Sequence, residues 1–416
     1  MPIIPLRYGK GELQFEYTEG QFEILTDPAK PDRPLSDVEI NQKLDHTIDS
    51  PLIEEIIYPD DTVLIVVPDA TRQVACGQVV NLLVRRLIAN GTPPFNINII
   101  FATGIHRPVT IEEKESILTP FIAQRIKTLD HNPRDLAAIV RLGESKSGIP
   151  VELNRAVREY DHVVLIGGVT FHYFAGFTGG RKLICPGLAS SKTINATHKL
   201  AFDCEKLSRC EGVGPGLLAG NVVHESFIEA VRAVDPSFAI STFVDDEGRI
   251  TDLFCGNWIT SHAKACEEYA AGHTIHVAKK RKLVLVSAGG YPHDINMIQA
   301  HKALDAASKA CVDGGTIILV AECSDGTGRA DFLDWFEADG SRALAERLCN
   351  RYQVNGQTAW SLLEKTERFD VKIVTSLDAG ATAQMRLDKI ETLQSFGNET
   401  GYIIPDGAKY LIREQI

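Results

Sequence analysis

Short runs of β-branched residues alternate with helical patterns along this chain, and that alternation restricts its fold more than any other feature. Seven runs are typical of buried strands, and helical patterns such as Gln78–Ala89 and Ala300–Ala310 lie between several of them. Strands that alternate with helices form mostly parallel sheets covered by helices on both faces. We therefore predict an α/β fold with strands at Val63–Val67, Ile97–Ala102, His162–Gly167, Ala239–Val244, Leu283–Ser287, Thr316–Ala321 and Val371–Thr375.

The length of 416 residues exceeds the usual size of one hydrophobic core, so two domains are expected. A polar helical pattern at Ala265–Ala278, followed by the basic run Lys279–Lys282, indicates a boundary in this region. We place the domains at residues 1–270 and 271–416. Each is expected to contain a mostly parallel, Rossmann-like sheet flanked by helices, with the active site in the cleft between the domains.

The net charge limits the possible partners of the protein, and the cysteine pattern indicates its redox compartment. The chain has 43 basic and 55 acidic side chains, a net charge of −12, which argues against nucleic acid and membrane surfaces as partners. A small acidic substrate remains compatible with a local basic site. The nine cysteines are scattered and form no C-x-x-C motif, so we expect reduced thiols in a cytoplasmic protein without a signal peptide or membrane span.

Polar and glycine residues follow the predicted strands, where ligands bind in open parallel sheets. Arg72 is predicted to bind an anion, because a cation in the first turn of a helix opposes the helix dipole. Asp69 or Thr71 could instead cap that helix, and this alternative stays open at the level of sequence. The residues concerned are Asp69, Thr71 and Arg72 after the first run, Gly104, His106 and Arg107 after the second, His172 after the third and Tyr291 after the fifth.

A glycine-rich segment beginning at His172 concentrates the most reactive side chains. Gly179 and Gly180 precede Lys182, and His198 follows one short segment later. A segment with two imidazoles, one amine and a glycine-rich backbone can bind a metal ion and a phosphate. Its imidazoles can also accept and donate a proton. The segment is not a P-loop, since Arg181 separates the glycine from the lysine, and we find no dinucleotide fingerprint elsewhere.

Gln299 and Lys302 form a separate predicted anion site. Residues three apart share one face of a helix, so an amide and an ammonium point the same way. Together they suit a carboxylate. An exposed polar helix face is the alternative.

In combination these segments resemble the lactate racemase family, whose members use a nickel-pincer nucleotide. The resemblance spans residues 69–302 in order and continues less specifically through residues 325–328 and Trp360. The matching motifs are Asp69-x-Thr71-Arg72, Thr103-Gly104-x-His106-Arg107, His172-x-x-x-Gly176-x-x-Gly179-Gly180-x-Lys182-x-x-x-Pro186-Gly187, His198, and Gly290-Tyr291-Pro292 with Gln299-x-x-Lys302.

The resemblance implies a set of roles. His106 and His172 would be the paired acid/base groups, His198 the nickel ligand, and Lys182 the lysine that can be tethered to the cofactor through a thioamide. The other implied cofactor-binding residues are Asp69, Thr71, Arg72, Gly104, Gly179, Gly180 and Tyr291, and the implied substrate-binding residues are Arg72, Ala175, Ile298, Gln299, Lys302 and Trp360.

Two departures from the family bear on the substrate. Ala175 stands where a small hydroxyl residue is usual, and Ile298 stands where an aromatic residue is expected. Both make the predicted pocket less polar or change its shape. We therefore expect a substrate other than lactate, or a range broader than lactate, such as malate, a longer aliphatic acid or a sugar acid.

The resemblance thus implies a racemase or epimerase of a 2-hydroxy acid that works by proton-coupled hydride transfer and depends on cofactor-biosynthesis enzymes. Two alternatives remain at this level: a nicotinamide-dependent 2-hydroxy acid dehydrogenase and a non-catalytic nucleotide- or phosphate-binding protein. The missing fingerprint argues against the first, and three separated histidines argue against the second. The sequence leaves the oligomeric state open, including a homo-oligomer.

Overall fold

A computed structural model describes residues 1–26, 33–71, 74–245, 247–393 and 399–415. It confirms the α/β prediction, because strands or parts of strands cover all seven predicted runs. The two predicted helices are also present, at Cys76–Ala89 and Met297–Ala310. The chain divides into two compact units. The first unit is Lys30–Ala201 with Glu211–Tyr269, and the second unit is Met1–Ala29, Phe202–Cys210 and Ala270–Ile416.

The first unit is built on a seven-stranded sheet. All neighbouring strands are parallel except Phe238–Val244 and Ile250–Gly256, which are antiparallel. Every residue of Val63–Pro68 is buried, as expected for a strand covered on both faces. In spatial order the strands are Thr47–Ile48, Ile250–Gly256, Phe238–Val244, His162–Gly168, Val63–Pro68, Ile97–Ala102 and Lys127–Asp130.

Amphipathic helices cover this sheet and bury their apolar faces against it. In Cys76–Ala89, for example, Val79, Leu83 and Leu87 are completely buried. Each such side chain contributes roughly 1.5–3 kcal/mol by leaving water. The remaining α-helices are Asp37–Leu44, Ile53–Ile56, Ile111–Leu118, Pro120–Arg125, Ser191–Lys199, Val222–Arg232 and Thr260–His273, with 3₁₀ turns at Pro94–Asn96, Arg155–Arg158 and Gly180–Leu183 and strand pairs Ile139–Glu144 with Pro150–Asn154 and Phe171–His172 with Gly176–Phe177.

The second unit contains a six-stranded sheet in which every neighbouring pair is parallel. In spatial order its strands are Asp388–Lys389, Asp370–Val374, Cys311–Val320, Arg281–Ser287, Gly401–Ile404 and Phe22–Ile24. Its further elements are helices Met297–Ala310, Gly340–Asn350, Val354–Arg368 and Ala379–Gln384, the 3₁₀ turn Leu333–Glu337, and strand pairs Ile3–Tyr8 with Gly11–Glu16, Phe202–Asp203 with Ser208–Arg209, and Thr274–Val277 with Leu411–Glu414.

The division by contacts is discontinuous along the chain. Residues 1–29, which the sequence boundary assigns to the N-terminal domain, belong to the second unit, as does the short segment Phe202–Cys210. Leu25 and Phe202 are buried in the apolar core of that unit. Neither segment shows a composition that would reveal this placement.

Two sequence expectations are wrong. The helix expected over Ala265–Ala278 ends at His273, because the β-branched residues that follow pair with Leu411–Glu414. The cysteines are not all reduced thiols: Cys204 and Cys349 form a disulfide within the second unit, and the other seven are free. In the described part of the chain, no helix is both long and apolar enough to cross a membrane.

Candidate active site

Three neighbouring strands of the first unit direct the candidate residues to one edge of the sheet. Val63–Pro68 lies between Ile97–Ala102 and His162–Gly168, and all three run parallel. Their carboxyl ends therefore lie at the same edge, where ligands bind in sheets of this type. The segments that follow them carry Asp69, His106 and His172, as the sequence predicts.

Asp69 orients His106. The Asp69 carboxylate is buried, and its Oδ2 lies 2.6 Å from His106 Nδ1. Its other oxygen, Oδ1, accepts hydrogen bonds from the backbone N–H and the hydroxyl of Thr71. A carboxylate at Nδ1 holds the neutral imidazole with its proton on that nitrogen, so Nε2 can accept a proton. His106 is therefore arranged as a base.

The same contacts decide the open question of helix capping. The helix that follows begins at Cys76, and its N-cap Ala75 provides no side-chain hydrogen bond. Neither Asp69 nor Thr71 caps it. Arg72 lies outside the described residues, so its predicted role as an anion ligand stays a prediction.

Arg107 is paired with an acidic side chain of the next helix. Its guanidinium forms two hydrogen bonds with the Glu113 carboxylate, at 2.6 and 2.8 Å. Glu113 also completes a capping box with Thr110 at the start of the next helix. This pairing ties Arg107 to the start of the helix, and its role at the candidate site stays a prediction.

A backbone hydrogen bond joins the His106 loop to the end of the glycine-rich segment. Gly104 N–H donates to the Gly187 carbonyl at 2.9 Å. Gly104 has φ +55°, a conformation that favours glycine, and a Cβ at Gly187 would lie 2.2 Å from the Leu183 carbonyl oxygen. These two glycines hold the loops of His106 and Lys182 next to each other.

His172 lies in a tight, buried turn. Its Nδ1 accepts hydrogen bonds from the backbone N–H groups of Ala175, at 3.2 Å, and Phe174, at 3.4 Å. Gly176 closes the turn with φ +79°, and a Cβ there would lie 2.2 Å from the Leu217 carbonyl oxygen. The turn therefore requires glycine at 176 and fixes the imidazole plane.

The ring of Phe174 contacts three of the predicted site residues. Its centroid lies 4.5 Å from the His172 ring, 5.0 Å from the His198 ring and 5.6 Å from Lys182 Nζ. The first two contacts are edge-on, and the third places an ammonium near an aromatic ring. Phe174 thus brings together the predicted base, the predicted metal ligand and the predicted tether.

His198 is suited to bind a metal ion. It lies near the end of helix Ser191–Lys199, where burial and the nearby charge of Lys182 lower its pKa to about 3. The imidazole is therefore neutral at physiological pH, as metal coordination requires. Its Nδ1 lies 3.4 Å from the hydroxyl oxygen of Thr197.

Arg181, at the variable position of the glycine-rich motif, is only 1% exposed. One of its terminal nitrogens donates to the Ala175 carbonyl at 2.6 Å, while its Nε has no hydrogen-bond partner among the described residues. The adjacent His262 donates from Nε2 to the Thr178 carbonyl at 2.8 Å. Burial and the Arg181 charge lower the pKa of His262 to about 3. Arg181 and His262 thus brace the loop on both sides of its glycines.

The predicted residues of the second unit lie around the start of helix Met297–Ala310. Asn296 caps this helix by accepting the Gln299 N–H. Lys302 Nζ donates to Gln299 Oε1 at 2.5 Å, which confirms that the two side chains share a face. Tyr291 is 42% exposed, and its backbone N–H donates to the Gly9 carbonyl.

Three predicted substrate residues have limited exposure. Ala175 is completely buried, and its carbonyl is held by Arg181. Trp360 packs edge-on against Phe202, with ring centroids 4.9 Å apart. The carbonyl of Ile298 accepts a hydrogen bond from His301 Nδ1. Their roles in substrate binding remain predictions.

Sequence reasoning missed Phe174 and Asn221. Asn221 is completely buried; it caps helix Val222–Arg232 and also donates to the Phe174 carbonyl at 2.9 Å. An Asn before an apolar helix signals a cap, but nothing in the sequence relates it to a turn 47 residues earlier. From the sequence alone, Phe174 cannot be distinguished from an ordinary core residue.

Comparison with known protein families identifies both parts of the chain. Residues 8–209 match the family model for the lactate racemase N-terminal domain, and residues 277–396 match that for the lactate racemase C-terminal domain. The chain is 31% identical to a lactate racemase from Thermoanaerobacterium thermosaccharolyticum, over 81% of this chain and 78% of the relative. It is also 31% identical to one from Lactiplantibacillus plantarum, over 80% and 77%.

Two solved structures share the fold of this chain. The lactate racemase apoprotein from T. thermosaccharolyticum superposes with a TM-score of 0.88 at 26% identity, covering 99% of this chain and 100% of the other. A Thermotoga maritima protein superposes with a TM-score of 0.72 at 20% identity, covering 92% and 99%, and shares the fold.

The buried imidazole of His262 predicts a pH-dependent stability. Its folded pKa, about 3, is below the ordinary value of 6.5, so the unfolded chain binds a proton first as the pH falls. The free energy of unfolding that comes from keeping this imidazole neutral is present above pH 6.5 and is lost toward pH 3. Between pH 7 and pH 5 the loss from this group is about 2 kcal/mol. Guanidinium unfolding should show that His262→Gln reduces the loss of stability over this interval by that amount; an unchanged loss would contradict the assignment.

Proposed function

The chain belongs to the lactate racemase family, and on that premise we propose that it interconverts the enantiomers of a 2-hydroxy acid with a nickel-pincer nucleotide as cofactor. The observation that carries the proposal is the packing of one ring, Phe174, against His172, Lys182 and His198. A proton-transfer group, an amine and a metal ligand thereby share one site.

The chemistry demands more than a base. The hydrogen on the carbon beside a carboxylate is weakly acidic, so its removal as a proton is difficult. The cofactor, when bound, supplies a hydride acceptor. His106 takes the hydroxyl proton through Nε2, and Asp69 stabilises the imidazolium that forms. His172 is the second proton-transfer group. Loss of the hydroxyl proton to His106 and of the Cα hydrogen as hydride to a bound cofactor would leave a planar ketone, and hydride addition to its other face would give the opposite enantiomer.

The residues around His198 fit a metal that is held mainly by an organic group. His198 offers a neutral, buried imidazole. Among the described residues, no cluster of three or more histidine, cysteine or acidic side chains could hold a metal ion alone. We propose that a bound nickel ion would take its other ligands from the organic group of the cofactor. Lys182, whose charge acts on His198, supplies the amine for a covalent tether.

We propose, from the family resemblance, that Gln299 and Lys302 bind the substrate carboxylate. The hydrogen bond between Gln299 and Lys302 aligns an amide and an ammonium on one helix face. Ala175 and Ile298 replace residues that are more polar or aromatic in the family. We therefore propose that the enzyme accepts acids other than lactate, or a broader set that includes lactate.

Racemisation can be tested directly on a panel of single-enantiomer acids that includes lactate, malate and longer aliphatic acids. Protein co-produced with the cofactor-making enzymes should convert at least one acid to a racemic mixture, as followed by chiral chromatography. His106→Ala should lower the rate about 10²- to 10⁴-fold, since it removes the general base.

His46→Ala is a suitable control, because it removes an exposed histidine of the same unit and should leave the rate unchanged. Reduction of added NAD by the acid, without racemisation, would favour a dehydrogenase. Racemisation that persists in His106→Ala would remove this residue from the mechanism.

Cofactor attachment is tested by native mass spectrometry combined with nickel analysis. The wild-type protein should carry a nickel-containing adduct of nucleotide mass, and Lys182→Ala should lose the covalent adduct. Lys192→Ala, a change at an exposed lysine on the helix that bears His198, should retain it. Absence of nickel and adduct from wild type, in cells that load a known lactate racemase, would contradict the proposal.

A further inference from the structure

The two candidate catalytic histidines make opposite hydrogen bonds through the same ring atom. His106 Nδ1 faces a carboxylate oxygen, which only accepts, at 2.6 Å. His172 Nδ1 faces two backbone N–H groups, which only donate, at 3.2 and 3.4 Å. A ring nitrogen that accepts from an amide carries no proton, so the proton of neutral His172 is on Nε2. The two imidazoles are therefore held as different tautomers.

Protonation of His172 at Nδ1 is also disfavoured. An Nδ1–H would point at the N–H groups of Phe174 and Ala175 and would break both hydrogen bonds. His172 is only 5% exposed, so water cannot easily replace them. In this turn His172 presents an Nε2–H donor, whereas His106 presents an Nε2 lone pair.

Asn221 supports the donor that determines this tautomer. Its Nδ2 donates to the Phe174 carbonyl at 2.9 Å and to the Leu217 carbonyl at 3.0 Å. The Phe174 carbonyl and the Ala175 N–H are the two ends of one peptide group. A hydrogen bond accepted at the oxygen polarises the N–H at the other end, which strengthens its bond to His172.

The orientation of the Asn221 amide is fixed by its second function. Its Oδ1 accepts from the backbone N–H groups of Val223 and His224, at 3.1 and 3.2 Å, at the start of helix Val222–Arg232. Oxygen must face these donors, so nitrogen must face the two carbonyls. Arg181 fixes the other side of the turn through the Ala175 carbonyl.

We propose that Asn221 is a positioning residue that holds His172 with its proton on Nε2. His172 then first meets the substrate as a hydrogen-bond donor to a substrate oxygen, whereas His106 meets it as the proton acceptor. These roles of His172 as donor and His106 as acceptor rest on the proposed function. The two tautomers, however, are held by the protein itself and do not require the cofactor. During the reaction the hydroxyl O–H bond breaks and the proton forms a new N–H bond at His106 Nε2.

The tautomers are measurable by NMR on apoprotein labelled with ¹⁵N-histidine. Long-range ¹H–¹⁵N correlations distinguish protonated from unprotonated ring nitrogens, and His106→Gln and His172→Gln assign the signals. The wild-type protein should show His172 protonated at Nε2 and His106 protonated at Nδ1. A His172 signal with the proton on Nδ1 would overturn the proposal.

Asn221→Asp tests whether the hydrogen bond from Asn221 to the Phe174 carbonyl stabilises this tautomer of His172. The substitution changes the helix cap little. A carboxylate still accepts from the helix N–H groups but cannot donate to the Phe174 carbonyl. The population of His172 protonated at Nδ1 should therefore rise. Asn257→Asp provides the matched control, because Asn257 caps the helix Thr260–His273 through the same atom. It should leave the His172 signal unchanged.

The kinetic consequence separates positioning from folding. In cofactor-loaded protein, Asn221→Asp should change the pH profile of kcat while the nickel content stays at the wild-type level. An unchanged His172 spectrum in Asn221→Asp would contradict the positioning role of Asn221, even if the wild-type protein racemises its substrate. Absence of racemisation with the expected spectra would contradict the proposed function and leave the tautomer assignment standing.

Discussion

The candidate site depends on one buried turn, residues 172–177, and on the packing of Phe174 within it. The turn closes only because Gly176 adopts φ +79° where a side chain would collide with the Leu217 carbonyl. Phe174 then reaches His172, Lys182 and His198 at once. Loss of that geometry would separate the three groups while leaving the parallel sheet beneath them intact.

Burial gives the histidines of the first unit their distinct chemistry. His198 and His262 are far from water and close to the cations Lys182 and Arg181, so their pKa values fall to about 3 and both stay neutral. His106 is more exposed and is paired with a carboxylate. The charges and the solvent around each imidazole thus suit it to a different role: metal ligand for His198, structural support for His262 and base for His106.

Much of this arrangement can be predicted from the sequence. Runs of β-branched residues indicate buried strands, and the polar residues that follow them indicate the edge of the sheet where ligands bind. Tertiary contacts account for what was missed. The Cys204–Cys349 disulfide joins residues that are 145 apart in the sequence. Asn221 reaches its turn only through the fold. Local pattern carries no information about such pairs.

The most direct test of the mechanism follows the hydrogen on the reacting carbon. A 2-hydroxy acid deuterated at Cα is incubated with cofactor-loaded protein in ordinary water, and the deuterium content of the opposite enantiomer is measured by mass spectrometry. Hydride transfer predicts that the product retains the label, because the hydrogen never exchanges with solvent. Loss of the label to water would mean that it leaves as a proton, which would contradict the account.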